Sequence, residues 1–362
     1  MAGELRLQRH RVRVFISYPQ NKRFQPIPMK KIFSVSFKIA VTLLLFYWVF
    51  TRYGLSNIIS HVAGTKIDYI ILALAIFTLS NFIGALQWKR LVEGLEIEFP
   101  YRRALNLYFI GLYFNNILPT SLGGDVVKIY SISRVEKKGR EGLAATFVDR
   151  FAGFMLLSLF ALISGTYLLF SPFLSGDIFK RDIMVYITVI FTLFVLASTV
   201  LFSRRVGRLI YEVLLARVSL LGFKDRFREI HDFFHIYRAK YRLGVEVFFL
   251  SLVIQLLRIA VHYYCARAIG FNIDFIYFLV FVPLIALLSM IPVSLGGLGV
   301  RESSAPFLFT SVTAVKAVDP VGSLAVTTQL LASLVGILVG LAGGVLFVFS
   351  RTERKVRQPR ET

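Results

Sequence analysis

The chain has 362 residues, 56% of them hydrophobic in type, with 35 phenylalanines and a formal net charge of +21. A soluble core does not need that much apolar surface, whereas several membrane spans do. The basic residues sit in short segments between apolar runs, which excludes nucleic acid as the reason for the charge and points to anionic lipid head groups.

Residues 1–31 are basic and polar and read as a cytoplasmic N-terminal segment. The first apolar run is longer than the h-region of a signal peptide, so no cleavable signal is predicted. A spanning helix needs about 20 apolar residues. Six runs qualify, at about 32–51, 67–87, 143–170, 183–202, 243–266 and 321–349. Two shorter runs, about 104–118 and 275–291, each end at a proline followed by a glycine pair. Segment 203–242 interleaves basic and aromatic side chains and predicts an amphipathic helix on the cytoplasmic leaflet. Residues 351–362 are a basic cytoplasmic tail, and 32–350 form a single transmembrane domain. The lone cysteine, Cys265, lies in an apolar run; it excludes an intrachain disulfide and offers no metal site.

Cytoplasmic loops carry an excess of Lys and Arg. Segments 1–31, 87–103, 134–141, 203–242 and 351–362 together hold thirty-one of them, and the loops 52–66, 171–182, 267–274 and 316–320 hold six. The basic side is therefore the cytoplasm, and both ends of the chain are expected there, in an inner membrane. The loops before residue 104 and after residue 134 are both basic, so residues 104–133 must enter the membrane and return, turning at Pro119 to Gly124. By the same argument 275–315 enter and return from the outer side, turning at Pro292 to Gly297. Non-helical backbone at membrane depth is tolerated only where it is buried or lines a wet cavity.

The two turns share the pattern P-x-S-L-G-G-x-x-V-[K/R], from Pro119 to Lys128 and from Pro292 to Arg301. The halves align as repeat A, about 32–170, and repeat B, about 183–350, with opposite orientation. The expected fold is thus an all-α polytopic membrane protein: an inverted-topology repeat of six transmembrane helices plus two re-entrant helical hairpins. Interrupted segments at matching positions of inverted halves mark a transporter binding site.

The candidate site follows. Ser121, Gly123 and Gly124, with Ser294, Gly296 and Gly297, place free N–H groups at the start of each returning half-helix, where the helix dipole favours an anion. The plainer reading is that these residues only permit tight turns. Lys128 and Arg301 add positive charge one turn further on. Asp125 either caps its half-helix or binds a cation or basic head group. Asp149 and Arg150 lie inside an apolar run, where ionisable groups are costly, and are expected to pair with Lys128 or Asp125. Arg258 sits mid-run with His262 one turn on. It either coordinates phosphate or carboxylate, or pairs structurally with Glu246 or Glu302. Glu302 and Arg301 can also be read as an adjacent polar rim. Asn116, with Asn115 and Gln329, is a candidate cavity-lining amide.

Asn116-x-x-Pro119 through Gly123-Gly124-Asp125, the pair Asp149-Arg150, and Pro292 through Arg301-Glu302 resemble the membrane region of the lysylphosphatidylglycerol synthase/flippase family. The resemblance covers about 32–350. It implies translocation of a charged phospholipid between leaflets. The aminoacyl- and glycosyl-transferase domains of relatives have no counterpart here, so no enzymatic activity and no cofactor is expected. The expected partner is a membrane phospholipid or polyprenyl-linked lipid. A membrane-embedded transferase acting on a lipid-linked substrate, and an ion-coupled solute transporter, are the alternatives.

Overall fold

The computed structural model describes residues 29–118, 122–170, 177–202, 237, 240–291, 293–310 and 318–355. Residues 1–28 of the N-terminal segment, most of the expected amphipathic segment, Ser121 and residues 356–362 of the tail lie outside the described residues. The described chain is helical throughout and contains no strand. Its helices are α1 (Met29–Tyr53), α2 (Leu55–Ala63), α3 (Ile67–Glu93), α4 (Tyr101–Ile117), α5 (Gly123–Val135), α6 (Gly139–Leu169), α7 (Asp177–Phe202), α8 (Tyr241–Ala268), α9 (Phe275–Leu288), α10 (Val300–Thr310) and α11 (Val318–Lys355).

Among the described residues five helices are long and apolar enough to cross a membrane: α1, α3, α6, α8 and α11. The sixth expected span falls in α7, whose apolar stretch is Met184–Thr199. Large apolar side chains cover the outside of the bundle, among them Phe33, Leu44, Phe249 and Phe349. Polar groups turn inward: Ser80, Asn81, Gln87, Asp125, Lys128, Ser251, Gln255 and Glu302 are all buried. A bundle in lipid has this pattern, because lipid tails solvate apolar side chains and leave polar groups to find each other inside.

The packing centres on α3 against α8, with α4 seated on α11. Small residues set the second contact. A Cβ at Gly343 would collide with the Phe109 carbonyl, and one at Gly344 would meet the Tyr113 ring at 2.6 Å. Gly340 likewise makes room for the Asn116 amide. Small residues of this kind let membrane helices approach backbone to backbone.

Helices α4 and α5 pack on each other, as do α9 and α10. The first pair breaks where the sequence requires it. Leu118 is extended, with φ −77° and ψ 141°, because the proline after it disfavours the helical region.

The two glycine turns differ in backbone despite their shared pattern. α5 begins at Gly123, inside the glycine pair, whereas α10 begins only at Val300. Gly296, Gly297 and Gly299 adopt φ of +57°, +82° and +83°. The repeat position of Gly299 is held by Val126 in the first turn, and a β-branched residue does not take a left-handed conformation. Glu302 then closes the start of α10: its Oε2 accepts from the Gly299 N–H at 2.7 Å, as a third-position carboxylate does in a capping box.

Loop contacts sort the two ends of the bundle. Lys138 Nζ and Lys240 Nζ donate to the carbonyls of Glu96 and Gly94. The basic segments around 94–96, 138 and 240 therefore share one end. The Lys66 N–H donates to the Ala268 carbonyl at 2.8 Å, which gathers the two base-poor loops at another point of contact.

Candidate functional site

A cavity of about 340 Å³ lies among α3, α4, α5, α6, α8 and α9. Its walls carry Gln87, Tyr108, Asn115, Gly124, Asp125, Lys128, Asp149, Arg150, Ser251, Gln255, Arg258 and His262. Phe77, Phe154, Leu157 and Ile259 complete it with apolar surface.

Two carboxylates and two cations form a chain across the cavity wall. Arg150 Nε donates to Asp125 Oδ2 at 2.8 Å. Lys128 Nζ lies 3.2 Å from Asp125 Oδ1 and 3.6 Å from Asp149 Oδ2. Gln87 Nε2 donates to Asp149 Oδ1 at 2.9 Å, and Ser251 Oγ donates to Gln87 Oε1 at 2.8 Å. The chain thus runs from α8 through α3 and α6 to α5 and back to α6. Neighbouring residues 149 and 150 can both serve it because the helix points them in different directions. Lys128 also lies 5.3 Å from the Trp88 ring centre and 5.2 Å from that of Tyr108, within cation–π range.

Asp125 does not act as the N-cap, a position held by Leu122. It sits in the first turn of α5, where a carboxylate also favours the helix dipole. The Gly124 N–H is not free for a ligand; it donates to Asn115 Oδ1 at 2.7 Å.

Arg258 is different from Lys128 and Arg150, the other cations of the cavity wall, although Arg301, outside the wall, also has a buried Nε without a partner. Its Nη2 donates to Tyr108 Oη at 3.2 Å, and its buried Nε has no partner. Neither carboxylate considered for it from the sequence is engaged with it. Glu246 pairs with Arg90 at 2.7 Å, and Glu302 accepts from the Gly299 N–H and from Ser333 Oγ. Among the described residues Arg258 makes no ion pair. Arg258 as a whole is half-buried, and its Nε can still donate to an acceptor within the cavity. His262 Nδ1 lies 3.0 Å from the Arg258 carbonyl, which can only accept, so the ring's proton is on Nδ1.

The cavity brings together Gly124, Asp125, Lys128, Asp149, Arg150 and Arg258. Asn115 and His262, also singled out from the sequence, line it too; Ser121 lies outside the described residues, and the other expected residues do not line it. Gly123 packs against the Phe114 carbonyl and Leu118. Asn116 faces Gly340 of α11. Ser294 is buried with no partner for its hydroxyl, Gly296 and Gly297 form the second turn, and Arg301 Nη2 donates to the Gly296 carbonyl at 3.0 Å.

Sequence reasoning passed over Gln87, Tyr108, Ser251 and Gln255. The signal for two of them was present: Ser251, Gln255, Arg258 and His262 follow each other at spacings that place them on one face of α8. Tyr108 carries no such signal; its hydroxyl fits because Gly84 has no side chain to fill that space. Among the described residues no cluster of three His, Cys, Asp or Glu could hold a metal ion.

Residues 35–340 match the family described as the lysylphosphatidylglycerol synthase TM region. The chain belongs to this family. Every residue of the cavity wall falls within the matched span. The chain is also similar to a UPF0104 membrane protein of Pyrococcus horikoshii, 24% identical over 349 residues, covering 89% of this chain and 98% of the relative. A UPF0104 membrane protein of Methanothermobacter thermautotrophicus is 23% identical over 334 residues, covering 85% and 92%. As a member of the lysylphosphatidylglycerol synthase transmembrane family, the chain is a multi-pass membrane protein.

Proposed function

We propose that this protein is a lipid translocase, moving a phosphate-bearing polar lipid between leaflets without chemically altering it. The observation that carries the reading is Arg258, a cation in the wall of a cavity within an apolar bundle, with no carboxylate partner among the described residues and an unpartnered Nε. Such a group needs an anion, and a phosphate oxygen fits a guanidinium. Acyl chains remain in the bilayer while the head group enters the cavity.

The helix lengths support the re-entrant arrangement. α4, α5, α9 and α10 have 17, 13, 14 and 11 residues, each below the span length of about 20. In the proposed topology α4–α5 enters from the cytoplasmic side and α9–α10 from the other, giving an inverted repeat with α7 as the sixth span. Both termini are then cytoplasmic.

The test is a scramblase assay in proteoliposomes with a fluorescent phospholipid in one leaflet. The protein should equilibrate the lipid between leaflets, and Arg258→Ala should reduce the rate toward that of empty vesicles. Equal rates with and without the wild-type protein would overturn the reading.

A further inference from the structure

We infer that the cavity selects a head group bearing a single negative charge, of phosphodiester type, over one bearing two. The inference rests on the lipid-site reading above and adds a charge rule to it.

The rule comes from counting what the walls hold. Among the described residues Asp125 and Asp149 count as negative and Lys128, Arg150 and Arg258 as positive, with His262 counted as neutral as in the formal charge of the chain. The formal sum is +1. The two carboxylates are satisfied by Lys128 and Arg150, through contacts of 2.8, 3.2 and 3.6 Å. Arg258 is left as the excess charge, and its Nε has no partner. Arg301 and Glu302, outside the cavity wall, sum to zero and leave the count unchanged.

One anionic oxygen group on Arg258 brings the cavity to neutrality. A second negative charge would have no counter-charge and would face Asp125 and Asp149 across the same small space. At low dielectric an uncompensated charge is strongly disfavoured. The space is also limited, at about 340 Å³. That admits a phosphate group with a short polar substituent. Tyr108 Oη, already 3.2 Å from Arg258 Nη2, is placed beside the same guanidinium to contact it.

The experiment measures binding of the full-length protein in detergent at pH 8, by native mass spectrometry. The probes are short-chain phosphatidylglycerol, a phosphodiester with one charge, and short-chain phosphatidic acid. The latter is a phosphomonoester with two charges at this pH, because its second pKa is about 6. A third probe, glycerophosphoglycerol, carries the same phosphodiester without acyl chains.

Wild type should favour the phosphodiester lipid on the order of tenfold. Asp149→Asn raises the sum to +2 and should shift the ratio toward the monoester by about tenfold or more. The substitution is close to isosteric, and Lys128 keeps Asp125. Asp125→Asn adds the same charge from the other carboxylate, so the shift must repeat. Arg258→Gln lowers the sum to zero and should weaken both lipids. A wild type that prefers the monoester, or a ratio unmoved by both carboxylate variants, overturns the charge rule and leaves the lipid site standing. Binding of glycerophosphoglycerol as tight as that of the lipid keeps the rule but overturns the lipid reading. Binding of neither lipid overturns both.

Discussion

Gly124 stands so close to Gly111 that a Cβ on it would collide with the Gly111 carbonyl. This contact closes α5 onto α4 at the cavity wall and lets Asn115 reach the Gly124 N–H at 2.7 Å. Gly124→Ala must separate the two helices, an overpacking cost of about 1–3 kcal/mol. Thermal unfolding in detergent should show a lowered transition. Gly244→Ala is the matched control: a Cβ there meets nothing within 4 Å, and its α8 backbone is helical. That variant should be unchanged or more stable by about 0.5–1 kcal/mol.

The Ser251–Gln87–Asp149 chain yields a second prediction. Ser251→Ala removes the donor to Gln87 Oε1 and leaves a buried acceptor unsatisfied. The expected loss is about 1–3 kcal/mol. Gln87→Met removes both bonds of the amide, so the double variant should lose less than the sum of the two singles. A double-mutant cycle by thermal or denaturant unfolding reads this coupling, expected at about 0.5–3 kcal/mol. Strict additivity would mean that the chain is not formed in the folded protein.

The sequence revealed five of the six expected spans because each is a long apolar run, and the run at 67–87 became α3 with only its end extended to Glu93. Asp125, Lys128, Asp149 and Arg150 were legible as a group because charges inside apolar runs have to meet. The partner of Arg258 was not legible. Glu246 and Glu302 were both reasonable by sequence position, and only helix rotation sends the first to Arg90 and the second to the Gly299 N–H. The shared glycine pattern also misled in one respect. It suggested the same backbone in both turns, whereas α5 starts at Gly123, inside its glycine pair, and α10 only at Val300, after Gly299 with its left-handed φ.

That difference in the second turn is testable by substitution. Gly296 and Gly299 both hold left-handed φ values, +57° and +83°, yet a Cβ at 296 meets nothing within 4 Å while one at 299 meets Leu45 Cβ at 2.9 Å. Gly296→Ala should therefore cost only the backbone strain, about 1–2 kcal/mol. Gly299→Ala adds overpacking against α1 and should cost about 1–3 kcal/mol more. Equal losses in thermal unfolding would show that α1 does not pack on this turn.

The proposed opposite orientation of the halves makes the last prediction. Glu98 lies in the loop before α4 and Asp274 in the loop before α9, the equivalent places in the two repeats, and both are exposed. The basic neighbours Lys138 and Lys240 hold the first loop through the Glu96 and Gly94 carbonyls. Lys66 joins the second through Ala268. An excess of Lys and Arg keeps a loop cytoplasmic, so inverted halves put these two positions on opposite faces of the membrane. Cys265 is buried, and Cys265→Ala gives a background without thiols. In it, Glu98→Cys should react with a membrane-impermeant maleimide only when the cytoplasmic face is opened. Asp274→Cys should react in intact cells or right-side-out vesicles. Labelling of both from the same face would rule out inversion, because one hairpin would then have to cross the membrane and the glycine turns could not face each other across it.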